Sequence, residues 1–298
     1  MEEITVLDGR RIEVCIPYGR ARTVSILLNY LRRDRNIVDR VNLWLNTDPD
    51  QSADVAWATE QERIFHGWVR IVQNPTTVRL RPKQLNTGFF YARATQPNTL
   101  YFRFDDDIVY VHPRYFAEQV AFREAHPEAL LVMGSIVNNA VCSWVFQQRG
   151  ILGREHGTVA SPYCMDPVGW ADAGFGIALH GRFLDDAFAG RVDRWLYAEP
   201  HVLADATRFS ISNFLWTGEQ AASWGGPTPN RDEEIFLTEE WPRQQRRWNV
   251  INGMALVAHY SFFTQRALDG TDVLDRYRRL SERELSHSYY RLLGEAAG

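Results

Sequence analysis

Three consecutive carboxylates, Asp105-Asp106-Asp107, close an apolar run, Thr99-Leu100-Tyr101-Phe102-Arg103-Phe104, that reads as a strand. Like charges this close raise one another's pKa or demand a cation. Oxygen ligands select hard ions such as Mg²⁺ or Mn²⁺. Side chains alternate in an extended segment, so Asp105 and Asp107 are expected on one side, one holding the ion while the other orients a ribose or a water. An ion there would bridge two phosphates and stabilise a departing diphosphate as its charge grows. A solvated acidic turn is the plainer reading of the triplet alone. The strands on both sides weigh against it, because open α/β sheets bind ligands just beyond strand carboxyl ends.

The elements that must position the triplet are legible from periodicity. Ile12 to Ile16 is a β-branched run ending at Pro17-Tyr18-Gly19-Arg20, a turn signal. Val24, Leu27, Leu28 and Leu31 fall at helical spacing. A second strand is predicted from Val41 to Leu45, a helix from about Asp54 to Phe65 and a third strand from Val69 to Val72. This alternation implies a parallel sheet. Further on, the pattern predicts a helix over 84–93, a strand from Ile108 to Val111, a helix to about Ala125 and a strand from Leu130 to Gly134. Helices are expected near 180–190 and 198–206, extended chain from Arg208 to Trp216, and a helix from Glu233 to Pro242. A strand from Gly253 to His259 and a helical tail from about Thr264 complete the reading.

Composition is that of an ordinary globular chain: 298 residues, 45% hydrophobic and 23% charged, with a net charge of -4. The acidic balance weighs against a protein whose main task is gripping nucleic acid. Cys15, Cys142 and Cys164 are far apart and odd in number, which disfavours a disulfide framework or a cysteine zinc site and favours a reducing compartment. Met1-Glu2-Glu3-Ile4 lacks signal-peptide character, and the longest apolar stretch, 129–137, is far short of a membrane span. A cytoplasmic location is expected. No GxSxG, HExxH, P-loop or GxGxxG context is present.

Several blocks together resemble a GT-A glycosyltransferase of the family-2-like kind. They are the strand leading to Pro17-x-Gly19-Arg20, Leu43-Trp44-Leu45-Asn46-Thr47, the Tyr101–Val109 stretch around the acidic triplet, Arg208 to Ser212, Asp232-Glu233-Glu234, and Asn252 to Phe262. The similarity spans roughly residues 12 to 280. It implies an α/β fold with a mostly parallel central sheet flanked by helices, a single domain over 1–298. About 1–112 would be the sugar-nucleotide half, and 113–298 an acceptor-side half with C-terminal helices. It also implies transfer of a sugar from a nucleotide donor, UDP-linked in first place and GDP-linked in second, to a hydroxyl acceptor. That acceptor is left open among protein, glycan, lipid-linked sugar, small molecule and modified nucleic acid.

The same resemblance assigns roles to residues. Pro17, Gly19 and Arg20 would face the nucleotide, Arg20 pairing phosphate or covering the base. Asn46 and Asp48 would recognise the base, although Asn and Asp also favour turns on their own account. Asp107 is the first choice of metal ligand and Asp105 the second, with Asp105 and Asp106 also at the donor. His259 would complete the shell around Mn²⁺ or Mg²⁺, a core histidine being the alternative. Asp232-Glu233-Glu234 opens a predicted helix where such enzymes hold the carboxylate base of an inverting transfer. Glu233 is the first candidate and Asp232 the second, against a plain capping cluster. Trp224-Gly225-Gly226 beside them could form a lid. Two other readings stand: a nucleotidyltransferase of the same fold class, disfavoured by the lack of a Gly-rich first loop, and a non-catalytic binding protein.

Overall fold

The computed structural model describes residues 9–48, 50–77, 80–228 and 232–295; Met1 to Ile4, Pro49, Pro229 and Asn230 lie outside the described residues. The opening alternation folds as its pattern predicts. β1 (Arg11–Tyr18), α1 (Ala21–Arg33), β2 (Arg40–Leu45), α2 (Ser52–Ile64) and β3 (Val69–Val72) build consecutive βαβ units, with β2 paired in parallel to both β1 and β3. The helical repeat of α1 buries Val24, Leu27, Leu28 and Leu31 together with Ile26 and Tyr30. β4 (Thr99–Phe104), whose six residues are all buried, joins the other edge of β1 in parallel.

The remaining strands and α-helices among the described residues are β5 (Ile108–Val111), α3 (Tyr115–Ala125), β6 (Val132–Val137), α4 (Ala140–Gln148), α5 (Ala173–Phe188), β7 (His201–Leu203), β8 (Asn213–Thr217), α6 (Gly218–Ser223), α7 (Glu233–Ile235), α8 (Trp241–Gln245), β9 (Asn249–His259) and α9 (Val273–Glu295). Among the described residues the strands share one nine-stranded sheet in the order β3-β2-β1-β4-β8-β6-β9-β5, with β7 also on β9. β5, β7 and β8 run against the other strands. The expected α/β class, with a mostly parallel central sheet flanked by helices, is the one the chain adopts. Among the described residues no helix is long and apolar enough to cross a membrane.

Some local expectations differ. The helix expected over 198–206 is β7 followed by a 3₁₀ turn (Ala204–Ala206), because His201 to Leu203 finds a partner in the edge of β9. The segment 84–93 is helical but 3₁₀ (Lys83–Arg93). The helix from Glu233 does not stop at Pro242. A π-turn (Phe236–Glu240) resets the hydrogen-bond register between α7 and α8, so Pro242 falls in the first turn of α8, where its missing N–H leaves no bond unmade.

The strand directions place chemistry at one edge of the sheet. The C-terminal ends of β1, β2, β4 and β9 lie there and lead into Gly19-Arg20, Asn46, Asp105 and, as the last residue of β9, His259. β8 enters at the same edge, because its antiparallel register sets Asn213 opposite Phe104.

Candidate active site

The acidic triplet is a turn, not an extension of the strand. The Ile108 amide donates to the Asp105 carbonyl at 3.2 Å, and the Asp105 amide donates to the Ser212 carbonyl at 2.8 Å. The expected side-by-side arrangement of Asp105 and Asp107 is therefore lost, since alternation holds only in extended chain. Each carboxylate finds its own partner. Asp105 accepts from Nε and Nη2 of Arg103 at 3.0 and 2.8 Å. Asp106 accepts from Nε of Arg20 at 2.9 Å and also from its Nη2. Asp107 accepts from Arg20 Nη2 at 2.9 Å and lies 3.2 Å from Nε2 of His259.

His259 reaches Asp107 because it is paired with Ile108 across β5 and β9, while the Tyr260 amide donates to the Asp107 carbonyl at 2.9 Å. Both side chains are buried, and Asp107 Oδ1 and His259 Nδ1 have no hydrogen-bond partner. Burial raises the Asp107 carboxyl, but His259 and Arg20 outweigh it and hold it well below the usual carboxylate range. Burial lowers the His259 imidazole, and Asp107 reverses this to leave it above its ordinary value. Asp106 moves the other way: burial and its acidic neighbours lift it despite Arg20.

These residues line a cavity of about 810 Å³. The helical stretch from 233, which also lines it, divides the second acidic cluster among three tasks. Asp232 caps the helix, accepting from the Glu234 and Ile235 amides at 3.0 and 3.2 Å. Glu234 pairs with Arg208 at 2.7 Å. Glu233 turns inward onto Nη1 of Arg103 at 2.7 Å, and its Oε2 is buried with no hydrogen-bond partner. Burial pushes the Glu233 carboxyl up to about 7, with Arg103 opposing. Capping and base readings thus fall on different residues of one cluster.

Arg103 carried no role in the sequence reading, yet it joins the two acidic groups. Its side chain is 5% exposed, and its guanidinium spans Asp105, Glu233 and the Tyr91 hydroxyl, the last at 2.9 Å. The signal was available: a charged residue inside an apolar strand is almost never fully buried unless paired. Tyr91 is held by edge and tilted contacts to Trp44 and Trp216 beneath the site. Arg103→Met would leave Glu233 without its counter-charge. The expected results are a loss of about 3 kcal/mol or more in thermal unfolding and an upward shift of any activity limb set by Glu233.

Pro17, Gly19, Arg20 and Asn46 all line the cavity. Asp48 does not line it; its carboxylate pairs with the exposed Arg81 at 2.6 Å, and its amide donates to Gln51 Oε1 at 2.8 Å. Gln51, which also donates to the Gly19 carbonyl, occupies the lining instead. Trp224 is not a free lid. It packs edge-on against Trp241 at 4.6 Å and donates from Nε1 to the Gly226 carbonyl at 2.7 Å. Trp170 does line the cavity, near Phe262 and Phe263, whereas Trp195, Trp216 and Trp241 are core.

Among the described residues no group of three or more His, Cys, Asp and Glu side chains forms a ready metal cage. The donors Asp107 and His259, each with a buried unpartnered atom, nevertheless suit a divalent ion that takes its other ligands from water and substrate phosphate, the usual habit of Mg²⁺. Asp105 is held by Arg103.

No protein-family model matches the chain, and no curated protein sequence matches it. Solved structures similar to it include glucosyl-3-phosphoglycerate synthase from Mycobacterium tuberculosis in complex with Mg²⁺ and uridine-diphosphate, at 14% identity, covering 90% of this chain and 79% of that one, with a TM-score of 0.42. Another is CMP:2-keto-3-deoxy-manno-octonic acid synthetase complexed with CTP, at 12% identity, covering 92% and 99%, with a TM-score of 0.43. A third is 4-diphosphocytidyl-2C-methyl-D-erythritol synthase from Anaerococcus prevotii, at 17% identity, with a TM-score of 0.32; the match takes in 44% of this chain and spans 57% of that chain's length.

Proposed function

We propose that the chain is a divalent-metal-dependent glycosyltransferase that moves a sugar from a UDP-linked donor to a hydroxyl acceptor with inversion. The observation that carries this reading is the pairing, within one cavity, of the buried Asp107–His259 couple with a separate buried carboxylate, Glu233, whose second oxygen has no partner. Asp107 and His259 would hold the ion, Mn²⁺ or Mg²⁺. When bound, the ion supplies positive charge to the leaving diphosphate.

The chain's own residues account for the rest. The Arg20 fork offers donors for phosphate. Asn46, at the end of β2, would face the base. Asp105, fixed by Arg103, would orient a hydroxyl of the donor. Glu233 accepts the proton of the acceptor hydroxyl as that oxygen attacks the anomeric carbon. The bond from that carbon to the phosphate oxygen breaks, and its electron pair leaves on the diphosphate. A carboxyl near 7 is poised for this step, because a base works best with a pKa close to the operating pH. The connection from β1 to α1 contains only Gly19 and Arg20, too short for the Gly-rich loop that cradles a triphosphate.

UDP and Mn²⁺ added together are expected to raise the melting temperature by about 5 °C or more at a hundredfold excess over Kd. No shift with any nucleoside diphosphate and metal would contradict the reading. Turnover of a nucleoside triphosphate in place of a sugar nucleotide would favour a nucleotidyltransferase.

A further inference from the structure

Arg20 occupies an unusual place for a cation. It is the N-cap residue of α1, yet its side chain makes no capping bond. A positive charge at a helix N-terminus opposes the helix dipole. What holds it there is the acidic turn: its guanidinium bridges Asp106 and Asp107. The use of Asp107 is lopsided. Oδ2 meets both Arg20 and His259, while Oδ1 is buried with no partner. The Arg20 side chain is 33% exposed and lines the cavity, so it has a route away from the carboxylates.

We propose that Arg20 is a built-in substitute for the divalent ion: it neutralises Asp106 and Asp107 in the free protein, and joint binding of the ion and a nucleoside diphosphate moves it from the carboxylates to the phosphates. This rests on the function proposed above. A divalent ion on Asp107 and a guanidinium on the same carboxylate repel each other. Metal alone must therefore displace Arg20 from Asp107 with no phosphate to receive it. A diphosphate alone meets an arginine already engaged. Together they exchange partners, and the guanidinium fork suits phosphate as well as it suits carboxylate. Thermodynamic linkage then requires each ligand to strengthen the other, typically by 5- to 150-fold.

UDP chelates Mn²⁺ by itself, so the diagnostic quantity is the change on substitution. Calorimetric titrations of Mn²⁺ alone, and of UDP at saturating Mn²⁺, would compare wild type with Arg20→Gln and Arg20→Lys. In Arg20→Gln, Mn²⁺ alone is expected to bind about tenfold tighter while UDP in the presence of Mn²⁺ binds about tenfold weaker; these opposite signs do not arise from loss of folding. Arg20→Lys, a point charge unable to span both carboxylates, is expected to fall between. Wild type that forms the Mn²⁺–UDP complex, with variants that bind Mn²⁺ alone no tighter, would overturn the substitute role and leave the proposed function standing. Wild type that binds neither Mn²⁺ nor UDP would overturn both.

Discussion

Asp107→Asn is expected to lower nucleoside-diphosphate release from a sugar nucleotide by about a thousandfold, corresponding to roughly 4 kcal/mol of lost transition-state stabilisation. The amide keeps the shape of the side chain but removes the charge that Arg20 and His259 now share. It thereby removes the anionic donor that an ion would require. The three aspartates should not be equivalent. Asp106 touches Arg20 and Asp105 touches Arg103, so Asp106→Asn and Asp105→Asn are expected to cost less and to act on donor affinity as well as rate. Single-turnover assays at saturating Mn²⁺ on the three variants would measure this. Asp107→Asn within tenfold of wild type, with Asp105→Asn inactive, would move the ion to Asp105.

Glu233→Gln is expected to lower kcat by about 10²- to 10⁴-fold with little change in donor affinity, the range for loss of a general base. The pH dependence gives a sharper test. The carboxyl is pushed up to about 7 by burial, and a general base must be ionised to accept a proton. Wild-type kcat/KM should therefore fall tenfold per pH unit below about 7 and level off above it, provided the ion saturates its site across that range. Glu233→Gln should lose that limb along with the activity. A wild-type profile flat from pH 5 to 8, or a variant that keeps the same limb, would show that another group accepts the proton. Asp232→Asn should retain most activity, because Asn also caps helices well and Asp232 spends its Oδ1 on the cap.

The parts of the fold that repeat regularly were legible in the sequence. The β1-α1-β2-α2-β3 opening followed from its apolar spacing, and Val69–Val72 and Ile108–Val111 match the predicted strands residue for residue. Features set by tertiary pairing were not legible. β7 is a strand only because the edge of β9 is available, and no local pattern encodes that edge. α4 went unread because its run Ala140 to Phe146 is almost wholly apolar and buried, so it shows no amphipathic period.

At the site, the residue types were informative and their directions were not. The triplet's chemistry could be read from its charge, but its turn sent Asp105 to Arg103 and left Asp106 and Asp107 to Arg20. The run Asp232-Glu233-Glu234 held both a cap and a buried acid, and only the helix start sorts them. Arg103 was visible as a lone charge in β4, but its partners lie two, twelve and one hundred and thirty residues away along the chain.

The most direct test is an anomalous difference map from a crystal grown with Mn²⁺ and UDP, recorded near the manganese edge. The expected result is a single strong peak between the Asp107 carboxylate and the His259 ring, with the diphosphate touching it and the uracil beside Asn46. Ordered UDP elsewhere on the chain, with no peak at that pair and Arg20 still bridging Asp106 and Asp107, would contradict the assignment.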